Sequence, residues 1–241
     1  MNNKTKSILY FLRLPLLFII IVIVSLYLIL IANGYIINLQ SKSLLKTGMI
    51  YLKSNPKDAS IFLNGVQKAD KTPIRLTELV GGRYDIQVSK DGYSEWIKTI
   101  KVEQGLVAAE NDIVLFYLKP QSVQIQNDEI EAFNNLPNKI INSEITIKDL
   151  SEIWIPSPDN SEENILVTRL SQPIKNAVYY SDKKHIIFQV ENEIRAIDLD
   201  GSNNVKLIDL PTNNKTELII DNTGQYLYYK SSQDVLKVKI H

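Results

Sequence analysis

Two histidines, His185 and His241, are the only side chains in this sequence whose ordinary titration falls near neutrality. A Ser-His-Asp relay would have to rest on His185, because a nucleophilic hydroxyl needs a neighbouring base to take its proton. His185 follows Lys183 and Lys184 at a hairpin tip, where it is expected to be solvated surface that burial cannot tune. A second candidate is Asp198-Leu199-Asp200-Gly201-Ser202-Asn203, whose alternating oxygens suggest a calcium loop. Its glycine comes too early, and Asp209 stands where a bidentate Glu is needed; a β-turn between strands explains the run better. Glu162-Glu163 lies in a polar loop with no sign of a buried partner. The sequence has no phosphate-cradling glycine loop, no Gly-x-Ser-x-Gly elbow, no metal-ligand pair and no cysteine. The expectation is a chain without catalytic residues, cofactor or metal.

What would position any site begins with the N-terminus. Nineteen consecutive residues, bounded by Leu14 and Ala32, carry no charge and are mostly Ile, Leu, Val or Phe. As a helix they measure about 28 Å, close to the ~30 Å hydrocarbon core of a bilayer. Lys4, Lys6 and Arg13 precede the run with no acid among them. The apolar stretch is longer than the ~7–15 residues of a cleaved signal peptide, and more apolar residues follow its exit. An uncleaved signal anchor over 14–34 is expected, with a removed signal peptide and a buried core helix as the competing readings. Lys42, Lys46 and Lys53 nearly balance the bases on the other side. The tighter basic cluster at 1–13 favours a cytoplasmic N-terminus and an extracytoplasmic body. Tyr10 and Tyr35 flank the run as interfacial aromatics do.

Lysine plus arginine and aspartate plus glutamate each number 27. With the three bases before the anchor set aside, the body carries 24 basic and 27 acidic residues. Such a weakly acidic surface without a basic stripe argues against nucleic acid as a partner.

After a juxtamembrane linker at 35–47, residues 48–119 read as short strands broken by turns. Asn55-Pro56-Lys57-Asp58 is a turn, and Asn64-Gly65 is a strong hairpin signal because both central residues of a type I′ turn need positive φ. Tyr84, Ile86 and Val88 alternate with Asp85, Gln87 and Ser89, so one face is buried and the other wet. Residues 111–118 are expected to close the unit with a nearly continuous apolar strand. Pro56 and Ala59, Asn64-Gly65, Thr72-Pro73, Gly82 and Tyr84, Gly92-Tyr93 and Trp96 occur in an order that resembles a PEGA domain. The name-giving Pro-Glu-Gly-Ala tetrapeptide reads Pro56-Lys57-Asp58-Ala59 here, and Asp58 tolerates left-handed backbone better than most residues. The resemblance implies a small β-sandwich, found mostly in prokaryotic surface or membrane proteins, that acts as an accessory interaction module and implies no chemistry. Tyr84, Tyr93 and Trp96 are expected to be core or rim aromatics. Tyr93 and Trp96 are also the candidate ligand contacts, as an exposed stacking patch for glycan or peptide.

Residues 120–149 are polar, interrupted by Pro137, and read as a linker with a short helix at 128–133 and a strand at 145–147. From 150 to 241 a strand–turn–strand–turn–strand pattern recurs at a period near forty, the length of a four-stranded propeller blade. The copies centre on 178–198 and 218–239, with a fainter one from 153 to 167. Ser157-Pro158-Asp159, Ser181-Asp182-Lys183-Lys184 and Ile197-Asp198-Leu199-Asp200-Gly201 resemble the propeller repeats of the Tol-system periplasmic protein, where such repeats are binding scaffolds. A closed propeller takes about four to eight blades, more than these residues supply. The chain ends directly after a good strand, which favours truncation of a longer array, the alternative being a curved sheet completed by a partner.

The expected fold is mainly β: one transmembrane helix, a PEGA-like β-sandwich, then an incomplete propeller-like antiparallel region. The expected role is a membrane-anchored, non-enzymatic binding or scaffold protein of the prokaryotic cell envelope. Its partners would be membrane lipid along the helix and protein or polysaccharide at the β modules, with no nucleic acid. The alternatives are a self-associating structural surface component and a non-catalytic remnant of a larger sensor or enzyme.

Overall fold

The computed structural model describes residues 3–38, 42–125, 144–157, 160, 162–231 and 234–241. The apolar run is helical: α1 (Asn3–Ala32) is continuous, and every residue from 15 to 29 is exposed. Pro15–Ala32 is long and apolar enough to cross a membrane, and none of it is buried inside the protein. A buried core helix is thereby overturned for this segment. The helix stops at Gly34, whose φ of +77° is the left-handed C-cap conformation. The Gly34 carbonyl then accepts from both the backbone N–H and the hydroxyl of Thr47.

The next eight strands are β1 (Tyr35–Asn38), β2 (Ser43–Asn55), β3 (Ser60–Leu63), β4 (Val66–Lys71), β5 (Ile74–Val80), β6 (Gly82–Ser89), β7 (Trp96–Val102) and β8 (Val107–Val114). They form two four-stranded sheets: β1-β2-β5 with β8 also pairing β2, and β4-β3-β6-β7. Local chemistry explains the hairpin between β3 and β4. Asn64 (φ +50°) and Gly65 (φ +76°) form its two-residue loop, and Leu63 pairs with Val66 across it. The alternation on β6 holds, with Ile86 and Val88 buried and Asp85 exposed. The expected strand at 111–118 differs: β8 ends at Val114, and Phe116 turns into the core of the C-terminal sheets.

Eleven further strands follow: β9 (Ser122–Gln124), β10 (Thr146–Lys148), β11 (Glu152–Pro156), β12 (Asn164–Arg169), β13 (Ile174–Tyr179), β14 (His185–Val190), β15 (Glu193–Asp198), β16 (Val205–Asp209), β17 (Leu218–Ile220), β18 (Tyr226–Ser231) and β19 (Asp234–Lys239). They build three antiparallel sheets ordered β10-β11-β12, β13-β14-β15-β16 and β17-β18-β19-β9. The middle sheet is covered on both faces, so all six residues of β14 are buried. Ile186, Phe188 and Val190 pack with Ile153, Ile155 and Val167, while Ile187 joins Leu218, Ile220 and Leu227. Each such apolar side chain contributes about 1.5–3 kcal/mol of burial.

β9 lies inside the stretch read as a linker, yet it supplies the fourth strand of the last sheet. Val238 pairs with Ser122, and the Ser122 hydroxyl bonds that of Tyr229 at 2.8 Å. The expected helix at 128–133, Pro137 and the turn residues 158–159 lie outside the described residues. Among the described residues no sheet closes on itself.

By internal contact the chain divides into two units: Met1–Tyr51 with Arg75–Tyr84 and Ile100–Ala109, and Leu52–Ile74 with Asp85–Thr99 and Glu110–His241. β3, β4 and the first half of β7 thus share a unit with the three C-terminal sheets.

Candidate functional site

Within the second unit, the start of β14 and the end of β15 meet β7 in a cluster of polar side chains. His185 opens β14 and stands opposite Asp198, the last residue of β15. The turn before it is set locally: Lys183 takes φ +57°, and the Lys184 N–H donates to the Asp182 carboxylate at 2.8 Å. That turn carries Asp182 back over the imidazole. His185 Nδ1 lies 2.7 Å from Asp182 Oδ2, and Nε2 lies 3.3 Å from Asp198 Oδ1. Phe116 and Tyr180 stand edge-on to the ring at 6.2 and 5.8 Å. His185 is only 3% exposed.

This corrects the expectation of a solvated turn histidine. Adjacent lysines made the tip look wet, but the two-sided cover of β14 takes the first residue of the strand inward with the rest. A carboxylate oxygen stands at each ring nitrogen, so among the described residues neither nitrogen is directed at a hydroxyl as a nucleophile–base pair requires.

Asp198 is the centre of the cluster. Its Oδ2 accepts from Trp96 Nε1 at 3.1 Å, Asn203 Nδ2 at 2.9 Å and Ser202 Oγ at 3.2 Å. Asn203 Oδ1 in turn accepts the Ile97 N–H at 2.8 Å, and Lys98 pairs with Asp200 at 2.9 Å and with Glu110 at 3.2 Å. The 198–203 run is the turn its sequence implied, and its carboxylates are engaged by their own turn and by β7. Gly201 is required there: its φ is +81°, and a Cβ would sit 2.4 Å from the Val167 carbonyl oxygen. Among the described residues no three acidic or histidine groups are placed to hold a metal.

Trp96 is 3% exposed, so it does not offer a face to a glycan or peptide; its N–H is spent on Asp198. Tyr93 is half-buried and stacks on Tyr117 at 4.6 Å, and hydrogen bonding to Tyr117, followed by burial, pushes its phenol up to about 12. The other motif residues are structural in position. Ala59 is fully buried, and its N–H donates to the Thr72 hydroxyl, which also bonds Ser54 Oγ at 2.6 Å. Pro56 accepts from Ser54 Oγ through its carbonyl, and Asp58 takes φ +61°. Tyr84 donates to the Val80 carbonyl at 2.8 Å, Gly92 turns at φ +84°, and Pro73 and Gly82 are exposed.

Beside the cluster lies a cleft of about 420 Å³, polar in its lining. Lys53, Lys57, Asn55 and Asn111 face Asp182 and Thr223 across it. Asp112 at its edge is ion-paired with Lys184. With lysines, amides, hydroxyls and carboxylates and no open aromatic face, it suits a polar molecule rich in both donors and acceptors.

The ring of His241 is half-buried, and among the described residues neither of its shielded nitrogens makes a well-formed hydrogen bond. Burial holds its pKa below the ordinary 6.5; the Asn55 backbone and Asp182 oppose this, and Lys239 and His185 reinforce it. The unfolded chain therefore binds this proton first, and the resulting stability, complete above 6.5, falls as pH drops through the lower folded value. The unfolding midpoint is expected to fall between about pH 7 and pH 5.5, and to fall less in His241→Gln. Equal slopes in urea titrations of the two proteins would contradict the assignment.

Residues 47–109 match the PEGA domain family. This module is of a non-catalytic, binding type, and it follows an apolar helix, the arrangement of a membrane-anchored or secreted β-module protein. No curated protein matches the chain. Among solved structures, the C-terminal WD40 domain of Sif2 is similar at 11% identity and a TM-score of 0.31, covering 72% of this chain and 50% of that one. The chain thus spans half the length of that structure, and a likeness at this score carries no weight for the fold.

Proposed function

We propose that the chain is a single-pass membrane protein whose β sheets work outside the cytoplasm as a non-catalytic binding or scaffolding element of a prokaryotic cell envelope. The observation that carries this is α1, apolar and exposed on every side, which only a bilayer would cover at acceptable cost. The basic, acid-free 1–13 segment supports a cytoplasmic N-terminus. In this reading the three C-terminal sheets are propeller-like blades, and the polar cleft along Lys53, Asn55 and Asn111 meets a protein or polysaccharide of the envelope. Tethering raises the effective concentration of such a ligand near the membrane.

Protease added to intact cells is expected to digest the β-rich body and leave a protected N-terminal fragment. Complete protection of the body would overturn the orientation, and recovery of a freely soluble chain trimmed past Gly34 would overturn the anchor.

A further inference from the structure

In the first unit, the last turns of α1 and the strand that follows them enclose a cleft of about 470 Å³, within the range of small-ligand sites. We propose that this cleft holds a bilayer phospholipid whose headgroup ends in a primary ammonium. The proposal rests on the reading of α1 as a membrane span.

Depth is the first argument. Tyr27 lies five residues before the helix end at Ala32, about 7–8 Å along the axis. With Ala32 at headgroup level, the wall formed by Tyr27, Leu30 and Ile31 reaches down among the first methylenes. Ile36 and Ile37 of β1 form the facing wall. These surfaces are open, with Tyr27 50%, Ile31 44% and Ile37 53% exposed. An apolar slot at that depth fills with acyl chain rather than water.

Charge is the second argument, and it selects the headgroup. Among the described residues the one charged side chain lining the cleft is Glu78, on β5. Among the described residues the exposed Glu78 carboxylate has neither a hydrogen-bond donor nor an ion-pair partner. Of the uncharged polar side chains there, Thr47 already donates its hydroxyl to the Gly34 carbonyl, and the phenols of Tyr27 and Tyr35 carry no charge to compete with Glu78. An unpaired carboxylate above an apolar slot attracts an ammonium, whose three N–H groups can donate to it, and repels an anionic headgroup.

The full-length chain can be reconstituted in nanodiscs of phosphatidylcholine mixed with equal parts of phosphatidylethanolamine and phosphatidylglycerol. The lipid retained on the protein is then read by native mass spectrometry. The wild type is expected to retain the ethanolamine lipid over the glycerol lipid by roughly tenfold beyond the bulk ratio, one charge-assisted hydrogen bond being of that size. Glu78→Gln is expected to bring the ratio close to bulk, and Glu78→Asp to keep part of it. Retention at the bulk ratio by the wild type, or a preference unchanged in Glu78→Gln, overturns the lipid site. Alkaline extraction of the same membranes separates this from the anchoring itself: a chain washed off the bilayer refutes the span, whereas a chain that stays without lipid preference refutes the cleft alone.

Discussion

Truncating Trp96 to alanine is expected to destabilise the second unit by about 3–5 kcal/mol, the cost of deleting a large buried aromatic together with the cavity it leaves. The indole is 3% exposed, and its N–H is the one donor that β7 sends to the Asp198 carboxylate. Ser202 and Asn203 still donate to that oxygen in the variant, so the carboxylate is weakened in its hydrogen bonding rather than orphaned. Trp96→Phe separates the two contributions: most of the burial survives, and the expected loss is nearer 1–2 kcal/mol for the missing hydrogen bond and the smaller ring. Urea unfolding of the detergent-solubilised chain, followed by far-UV circular dichroism, gives the totals. Because the chain has two units, amide exchange in β14 and β15 provides the local measure. A loss below about 1 kcal/mol in Trp96→Ala would mean that the indole does not pack as described.

The pattern of what the sequence revealed follows the range of the forces involved. Asn64-Gly65 declared its hairpin because positive φ is a property of two adjacent residues, and both take it. Ile86 and Val88 declared their buried face through a period of two that needs no knowledge of the partner. The apolar run of α1 declared a long helix apolar enough to cross a membrane through its length and composition, which are local properties. His185 did not, because its burial is set by Asp198 across the ladder and by two neighbouring sheets, while the local cue was a pair of lysines. β9 was hidden for the same reason: three residues whose pairing lies with Leu236, Lys237 and Val238, more than a hundred positions away. The Tyr93 and Trp96 pair shows the limit within one motif. Both are aromatics a few residues apart, but the one enclosed, Trp96, is the one whose N–H reaches Asp198 across 102 positions, a contact no local pattern announces.

The candidate site was therefore legible as residue types and not as a site. Asp182, Asp198 and His185 all stood in segments read as turns and strand ends, and the register that brings them together is tertiary. Their joint arrangement sets the second large effect. Replacing His185 with alanine removes the group that stands between Asp182 and Asp198, whose side chains are only 24% and 15% exposed. Two carboxylates then share a shielded space without the ring that faced both, and the expected cost is about 2–3 kcal/mol, that of shielded acceptors left without their donor together with the lost ring volume. A neutral imidazole donates from one nitrogen and a protonated one from both, so either form offers the carboxylates more than alanine does. Asp182→Ala alone is expected to cost less, because Asp198 keeps Trp96, Ser202 and Asn203 as donors. The double variant is then the discriminating measurement. With the Asp182 carboxylate gone, His185→Ala has less repulsion to expose, and the two losses should fall short of additivity by about 0.5–3 kcal/mol. Strict additivity in urea unfolding would show that the 2.7 Å contact between Nδ1 and Asp182 carries no coupling, and that the ring matters only as volume beneath Phe116 and Tyr180.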